Sequence, residues 1–135
     1  MDEQTPGPGA GLPREVHKPW GSELWWACTE RYAAKILSIR AGQKLSVQYH
    51  REKDETSYLF SGRLLIEQGS SVESMRSSEM IAGGVWRNQP GVVHSLLALE
   101  DSLVFEVSTP QLEDVIRLQD RYGRADLDAR GCSGT

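Results

Sequence analysis

Residues 42–62 have the sequence GQKLSVQYHREKDETSYLFSG. Gln48 and His50 are two residues apart, so on a strand they would share a face, because strand side chains alternate with a period of two. A charged turn follows, and Glu55 then begins a second short run that ends before Gly62. The segment therefore predicts two strands that bring an amide, an imidazole and a carboxylate together.

Short apolar runs separated by turn residues recur on both sides of this segment, and Gly62-Arg63 is a tight-turn signal within it. Residues 70–78 are serine-rich and predict a loop or a weak edge strand. The predicted strands are residues 24–27, 33–39, 45–50, 55–61, 64–68, 85–88, 93–99 and 103–107. Many short strands at this spacing predict an all-β sandwich or barrel.

A short C-terminal helix is predicted over residues 111–119. Apolar side chains between Leu112 and Ile116 fit a helical spacing, and Pro110 could begin the helix. Residues 1–13 alternate proline with glycine and predict a flexible arm, and residues 125–135 are small and polar and predict a flexible tail. The predicted folded domain is therefore residues 14–124.

Composition narrows the function classes. The chain has 135 residues, enough for one domain, and a net charge of −4. That charge excludes a chain-wide basic field for nucleic acid, and no stretch approaches the ~20 apolar residues of a membrane span. The N-terminus lacks the features of a secretory signal, and Cys28 and Cys132 are far apart. We therefore expect reduced thiols in a cytoplasmic protein.

His94 completes a candidate set of metal ligands. If the strands that carry Gln48, His50, Glu55 and His94 face one interior, that interior holds two imidazoles, a carboxylate and a carboxamide oxygen. Such donors suit a divalent ion, with zinc expected first and iron, manganese, nickel or cobalt as alternatives. A metal would also neutralise the carboxylate. The alternative is a metal-free barrel that uses these groups for hydrogen bonds.

The same residues resemble the first motif of the cupin superfamily, which is Gly, five residues, His-x-His, three or four residues, Glu, six residues, Gly. Gly42, Glu55 and Gly62 are in register with it, and His50 takes the place of the second histidine. Gln48 replaces the first histidine. The resemblance implies a small jelly-roll β-barrel and a metal site at these positions.

The second cupin motif is Gly, five residues, Pro-x-Gly-x-x-His. Gly83, Gly91 and His94 match it, whereas Gln89 stands in the position of the proline and Pro90 follows one residue later. The resemblance therefore implies His94 as the last metal ligand, in a turn that departs from the family pattern.

A narrower resemblance covers most of the predicted domain. The matching segments are KPWGS at 18–22, Lys35, LSVQ at 45–48, Glu106-Val107 and DRYGR at 120–124. They are similar to the cupin domain of type II mannose-6-phosphate isomerases, in which a Gln-x-His variant also occurs. That domain usually follows a nucleotidyltransferase. A sequence of 135 residues has no room for such a domain beside the cupin, so we expect a stand-alone cupin. Departures at Ser57 and at residues 108–110 imply that the substrate can differ.

The resemblance implies a metal-dependent aldose–ketose isomerase acting on a phosphorylated sugar. Glu106, or a water held by the metal, would move the proton, and Lys35 and Arg124 would hold the phosphate. From the residues alone, Glu106 is equally a solvated outward residue, and Lys35 could extend to solvent. Arg117 is either a phosphate ligand or an ordinary surface charge.

Two other classes of function stay open. One is a different metal-dependent cupin enzyme: a dioxygenase, or a cyclase or dehydratase of a biosynthetic pathway. The other is a non-catalytic sugar-binding cupin. In every case we expect a small-molecule ligand, no nucleic acid, and a homodimer that covers aromatic surface strands. Of the four tryptophans, three are interpreted as structural and Trp86 is left open as a ligand contact.

Overall fold

The computed structural model describes residues 11–124, and all of its regular elements in that range are strands. They are β1 (Arg14–Lys18), β2 (Gly21–Cys28), β3 (Ala33–Ile39), β4 (Val47–Tyr49), β5 (Glu55–Ser61), β6 (Arg63–Gly69), β7 (Arg76–Ile81), β8 (Val85–Asn88), β9 (Val93–Ala98), β10 (Ser102–Ser108) and β11 (Ile116–Gln119). Within the described range, no helix is long and apolar enough to cross a membrane.

The strands form two antiparallel sheets. One has six strands in the order β1-β2-β3-β10-β5-β8, and the other has five in the order β11-β4-β9-β6-β7. Strands that are distant in sequence are neighbours, as in a double-sheet jelly roll. The predicted all-β jelly roll is confirmed.

Side chains alternate along each strand, so every second residue points into the space between the sheets. The two ends of this space have different linings. In β10, Val104 and Glu106 are both buried, while Phe105 between them is partly exposed on the outer face. The core fills one end of this space and comprises Trp20, Leu37, Ile39, Leu59, Leu64, Ile66, Trp86, Leu96, Ala98 and Val104. At the other end the inward positions are polar or charged. The same strands therefore build the core and present the candidate site.

The hairpin that begins at Glu55 depends on a glycine. Gly62 joins β5 to β6 with φ of 99°, in the left-handed region that favours glycine. A Cβ at this position would collide with Ser102 and with the carbonyl group of Asp101. The tight turn predicted at Gly62-Arg63 is therefore present, and β10 packs directly against it.

The predicted helix at 111–119 is wrong. Residues 110–115 form turns, in which the Leu112 N–H donates to the carbonyl of Pro110, and residues 116–119 form β11, which pairs with β4. A nine-residue helix has little stability of its own. Here strand pairing with β4 satisfies the backbone of 116–119 instead, and the apolar spacing reflects the burial of Ile116.

Two further elements differ from the sequence expectations. β1 was not predicted as a strand, although its exposure alternates along Arg14–Lys18. The serine-rich region becomes an edge strand only from Arg76, where β7 pairs with β6. Residues 1–10 and 125–135 are outside the described range, so the flexible arm and tail and the domain limits stay predictions.

Candidate metal centre

Two histidines and one glutamate meet between the sheets. Nε2 of His50 lies 3.4 Å from Oε1 of Glu55, and Nε2 of His94 lies 3.5 Å from Oε2 of the same carboxylate. One potential ligand atom from each of the three residues lies within 4.8 Å of the others, and all three side chains are buried. The structure thus brings together three of the four residues that the sequence predicted as ligands.

Both imidazoles are oriented by carbonyl groups behind them. Nδ1 of His50 is 2.6 Å from the carbonyl oxygen of Asp114, and Nδ1 of His94 is 2.9 Å from that of Val92. A carbonyl oxygen can only accept, so in the neutral rings Nδ1 carries the proton and Nε2 keeps its lone pair. Both Nε2 atoms are buried without a hydrogen-bond partner. These features fit a divalent metal ion, whose histidine ligands are usually held in this way.

Gln48, the fourth predicted ligand, lies directly opposite His94 across β4 and β9. Directly opposed residues project from the same face of a sheet, so Gln48 faces the interior. Its Oε1 accepts a hydrogen bond from the Ser46 hydroxyl at 3.1 Å. The carboxamide lines the same cavity as Glu55 and His94.

The charges of the cluster are suited to a cation. Burial alone would raise the pKa of Glu55, but the Lys53 ammonium group and the two histidines hold it well below its usual value. Burial lowers the pKa of His94 to about 4. The site therefore offers an ionised carboxylate and a neutral imidazole, which are the protonation states that bind metals. Asn88 donates a hydrogen bond of 3.1 Å to Oε2 of Glu55 and helps to orient it.

The sequence analysis missed Lys53, which lies at the centre of the site. Its Nζ is 3.2 Å from Oε1 of Glu55 and 3.4 Å from Oε2 of Glu106, and the residue is only 5% exposed. Burial would lower the pKa of Lys53, but the two glutamates outweigh it and raise the pKa. In the sequence, Lys53 stands in a charged run that is typical of a solvated turn, so no local signal marks it.

Asp114 fixes the turn that carries Lys53. Its two carboxylate oxygens accept backbone N–H bonds from Arg51, Glu52 and Lys53 at 2.6–3.0 Å. Burial would raise the pKa of Asp114, but these three donors lower it. Because the carbonyl of Asp114 also holds His50, this one residue positions a candidate ligand and the buried ammonium group together.

Glu106 faces inward. It is therefore not the solvated, outward residue that was one of the two alternatives from the sequence. It lies opposite Lys35 on β3 and Ser57 on β5, and it lines the cavity with Glu55 and His94. Burial, and next the negative charge of Glu55, raise its pKa above the usual value. A buried carboxyl group with a raised pKa is suited to proton exchange with a bound molecule.

Lys35 also points between the sheets rather than into solvent. Its Nζ lies 3.3 Å from Oε1 of Glu23 and 5.1 Å from the ring centre of Trp25. The Trp25 ring N–H donates to the same oxygen of Glu23 at 2.8 Å. Burial would raise the pKa of Glu23, but Lys35 and Lys18 lower it to about 2.

The two arginines singled out in the sequence have different surroundings. Arg124 is held by Asp120 through its Nε at 2.8 Å, and its guanidinium lies 5.8 Å from the ring centre of Tyr122. Arg117 lies directly opposite Gln48 on the next strand of the five-stranded sheet. Of the two, Arg117 is therefore the one aligned with the candidate ligands.

The cavity beside these groups is small. It has a volume of about 30 Å³. Its wall comprises Leu37, Leu45, Gln48, Glu55, Ser57, Trp86, Asn88, His94, Ser95, Leu96, Val104 and Glu106. That volume accommodates an ion or a water molecule but not a sugar ring. Trp86 is buried in this wall, so it meets the cavity and the core at once.

A jelly roll with inward His, Glu and His side chains and an adjacent glutamine defines a cupin with a possible metal site. The family described as "Mannose-6-phosphate isomerase C-terminal" matches residues 10–98. The chain belongs to this family of cupin domains.

Relatives of the chain include a mannose-1-phosphate guanylyltransferase and a xanthan biosynthesis protein. It is 30% identical over 116 residues to the mannose-1-phosphate guanylyltransferase ManC of Salmonella typhimurium, covering 82% of this chain and 23% of ManC. It is 28% identical to the xanthan biosynthesis protein XanB of Xanthomonas campestris pv. campestris, covering 82% and 24%. The chain thus spans about a quarter of the length of these relatives.

Solved structures share the fold at lower identity. KdgF from Halomonas sp. has a TM-score of 0.63 and 20% identity, over 72% of this chain and 86% of KdgF. An RmlC-like cupin from Shewanella frigidimarina has a TM-score of 0.63 and 16% identity, over 75% and 86%. The oxalate decarboxylase of Lactobacillus farciminis has a TM-score of 0.64 and 18% identity, over 78% and 33%. These similarities support the cupin fold.

Proposed function

We propose that the protein is a metal-dependent aldose–ketose isomerase that acts on a phosphorylated sugar. The observation that carries this proposal is the buried carboxyl group of Glu106, which lines one cavity with Glu55 and His94 of the His50–Glu55–His94 cluster. Isomerisation needs a group that moves a proton between adjacent carbons and an electrophile for the oxygen that becomes negative. The family description, which names mannose-6-phosphate isomerase, supports the same reaction.

The site residues have separate roles in this proposal. His50, Glu55, His94 and Gln48 would hold a divalent ion, with zinc expected first, and the ion would polarise the sugar oxygens. Glu106 would take the proton from carbon 2 of the aldose and return it to carbon 1. A second proton would pass from the oxygen on carbon 2 to the oxygen on carbon 1, so the composition stays unchanged.

Lys53 and Lys35 would assist this chemistry through charge. Lys53 lies beside Glu106 and could neutralise negative charge as the proton leaves the sugar. Lys35 and Arg124 are the sequence-based candidates for the phosphate, and the charge of Arg124 is already matched by Asp120. The small cavity implies that the sugar itself lies outside it, between the sheet edges, with only its reacting carbons near the metal.

The experiment is a panel of aldose and ketose phosphates incubated with metal-loaded protein in deuterium oxide. The proposal expects interconversion of a hexose 6-phosphate with its ketose, with deuterium entering the carbon beside the carbonyl. Absence of both turnover and exchange across the panel, with metal content near one ion per chain, would contradict it.

A second candidate is a different metal-dependent cupin enzyme, and the cavity size favours it. A volume of about 30 Å³ is better matched to a small ligand than to a sugar phosphate. The discriminating measurement is metal identity with oxygen consumption. Iron as the resident ion, together with substrate-dependent loss of oxygen, would favour oxygen chemistry over isomerisation.

We also propose that a second copy of this chain covers the outer face of the six-stranded sheet. Five apolar side chains are exposed there, namely Tyr58, Phe60, Val85, Phe105 and Val107, and the rings of Phe60 and Phe105 stack with centres 5.0 Å apart. They expose on the order of 500 Å² of surface, a size at which the main apolar patch of a protein is often functional. A two-fold contact would bury this patch on both copies, and the total buried area of about 1,000 Å² would be near the lower limit of a specific interface. Phe60→Lys should halve the mass measured by light scattering, and an unchanged mass would contradict this.

A further inference from the structure

The candidate metal ligands are divided between the two sheets. Gln48 and His94 lie on β4 and β9 of the five-stranded sheet, whereas Glu55 begins β5 of the six-stranded sheet. Ligands bind a metal ion well only when they are held at fixed distances and orientations. The separation of the sheets and the orientation of the Glu55 carboxylate must therefore both be fixed at this point.

Two carboxamide side chains connect the sheets beside these ligands. Gln68 lies directly opposite His94 on β6, and Asn88 lies directly opposite Glu55 on β8. Nε2 of Gln68 donates a hydrogen bond of 2.7 Å to Oδ1 of Asn88, and Nδ2 of Asn88 donates one of 3.1 Å to Oε2 of Glu55. Hydrogen bonds thus link the strand beside one candidate ligand to a second candidate ligand on the facing sheet.

The partners at the two ends of this path fix the orientation of both carboxamides. Nε2 of Gln68 also donates at 2.7 Å to the backbone carbonyl of Arg87, which can only accept. At the other end, Glu55 lies 3.2 Å from the ammonium group of Lys53, and an ionised carboxylate likewise only accepts. Gln68 must therefore present its donor to Asn88, and Asn88 must present its own donor to Glu55.

The hydrogen bond from Asn88 determines where the two oxygens of Glu55 point. Rotation about the last bond of a glutamate side chain has only broad preferences, so the carboxylate needs a partner to fix it. Oε2, which Asn88 binds, lies 3.5 Å from Nε2 of His94, and Oε1 lies 3.4 Å from Nε2 of His50. Asn88 is buried, so this bond forms away from bulk water, where leaving it unmade would be costly.

We propose that Gln68 and Asn88 are positioning residues of the metal centre, and we call this pair the amide relay. Asn88 orients the Glu55 carboxylate. Gln68 acts through Asn88, because it fixes which end of the Asn88 amide meets the carboxylate. Neither residue needs to contact the ion. This inference rests on the metal site of the proposed function but not on the isomerase reaction.

The test is a double-mutant cycle on zinc affinity, measured by competition with a chelator. Asn88→Leu removes the donor to Glu55 and should weaken zinc binding by roughly 10–100-fold, as is typical of residues that orient a metal ligand. Gln68→Met keeps the side-chain length but lets the Asn88 amide rotate, and it should weaken binding roughly tenfold. The double variant should bind zinc within about twofold of Asn88→Leu, because Gln68 acts only through Asn88.

Gln119→Met is the matched control, because Gln119 is an exposed residue of β11. Urea unfolding in chelator accompanies each titration, since a purely structural role would lower the stability of Gln68→Met without lowering its zinc affinity. Equal zinc affinities in Gln68→Met and Gln119→Met would overturn the relay. Losses that simply add in the double variant would also overturn it.

Asn88→Leu could fail to fold, because Asn88 is buried, and hydrogen exchange followed by NMR then tests the relay without that variant. In metal-free protein, the side-chain amide protons of Asn88 should exchange slowly in wild type and roughly tenfold faster in Gln68→Met. An unchanged exchange rate would contradict the relay. If the zinc affinities follow the cycle but no sugar phosphate is isomerised, the isomerase proposal fails and the relay stands. If sugar phosphate is isomerised and Gln68→Met binds zinc like wild type, the relay fails alone.

Discussion

The ammonium nitrogen of Lys53 lies 3.4 Å from Oε2 of Glu106, and both side chains are buried. The same nitrogen is 3.2 Å from Glu55, so one positive charge serves the candidate acid/base and a candidate metal ligand at once. A buried carboxylate that loses its cation is strongly destabilising. A divalent ion bound at Glu55 would neutralise the same carboxylate. The ion would therefore replace part of the stabilisation that the Lys53 charge gives to the buried glutamates.

Lys53→Met should therefore lower the stability of the metal-free protein and raise its affinity for the metal. In chelator, we expect the variant to lose about 3–5 kcal/mol of unfolding free energy, because Glu55 and Glu106 lose their shared cation. Saturating zinc should recover part of this loss. The zinc affinity itself should rise, because a positive charge next to the ion has been removed. Urea unfolding with and without zinc, and a zinc titration, measure the two effects.

Lys44→Met is the matched control, because Lys44 forms a partly exposed ion pair of 3.4 Å with Glu67. Its effect should stay within about 1 kcal/mol, with zinc affinity unchanged. A Lys53→Met variant as stable in chelator as the control would show that the buried glutamates do not need this ammonium group.

The two histidines should be required for metal binding. Wild type should contain close to one divalent ion per chain after reconstitution, and His50→Ala or His94→Ala should each lower the affinity strongly, since each removes an imidazole ligand. His17→Ala is the control, because His17 is an exposed residue of β1. Elemental analysis and a chelator competition measure this. Full metal content in both alanine variants would place the ion elsewhere.

Much of this site was predictable because its ligands follow local patterns. Gln48 and His50 share a face through strand alternation, and Glu55 and His94 occupy positions in spaced motifs. The inward orientation of Glu106 was not decided by the sequence, since an apolar strand of this kind can bury either face. It follows from the pairing of β10 with β3 and β5.

Lys53 and Asp114 could not be found from the sequence for a physical reason. Whether the charged turn after β4 is solvated or buried depends on a partner about 60 residues later, since Asp114 binds the backbone of Arg51, Glu52 and Lys53. Asp114 itself lies in residues 110–115, which form turns where an apolar spacing predicts a helix. Local periodicity does not encode such a long-range contact.

The pair of Glu23 and Lys35 should make stability depend on acid pH. The pKa of Glu23 is lowered from 4.5 to about 2 in the folded protein, so the unfolded chain binds more protons between these values. Its contribution, up to about 3 kcal/mol, is complete above pH 4.5 and is lost as the pH falls toward 2. Urea unfolding of wild type at several pH values between 2 and 7 would show the decline.

Glu23→Gln isolates this group from the other carboxylates. The variant should be less stable at pH 7, because Lys35 keeps only an amide partner, and the stability difference from wild type should shrink as the pH falls below 4.5. Glu79→Gln, on an exposed pair with Arg63, should show no such convergence. A difference that stays constant from pH 7 to pH 2 would mean that the ion pair does not stabilise the fold.

Glu106→Gln tests the chemistry most directly. The amide keeps the size and burial of the side chain but cannot exchange a proton, so turnover of the sugar phosphate should fall by roughly 10²–10⁴-fold. Metal content should stay near that of wild type, because Glu106 lies outside the His50–Glu55–His94 cluster. The loss should appear in kcat rather than KM, since the carboxyl acts on the transition state more than on substrate binding. Glu79→Gln should retain full activity, and wild-type solvent deuterium exchange in Glu106→Gln would assign the proton transfer to another group.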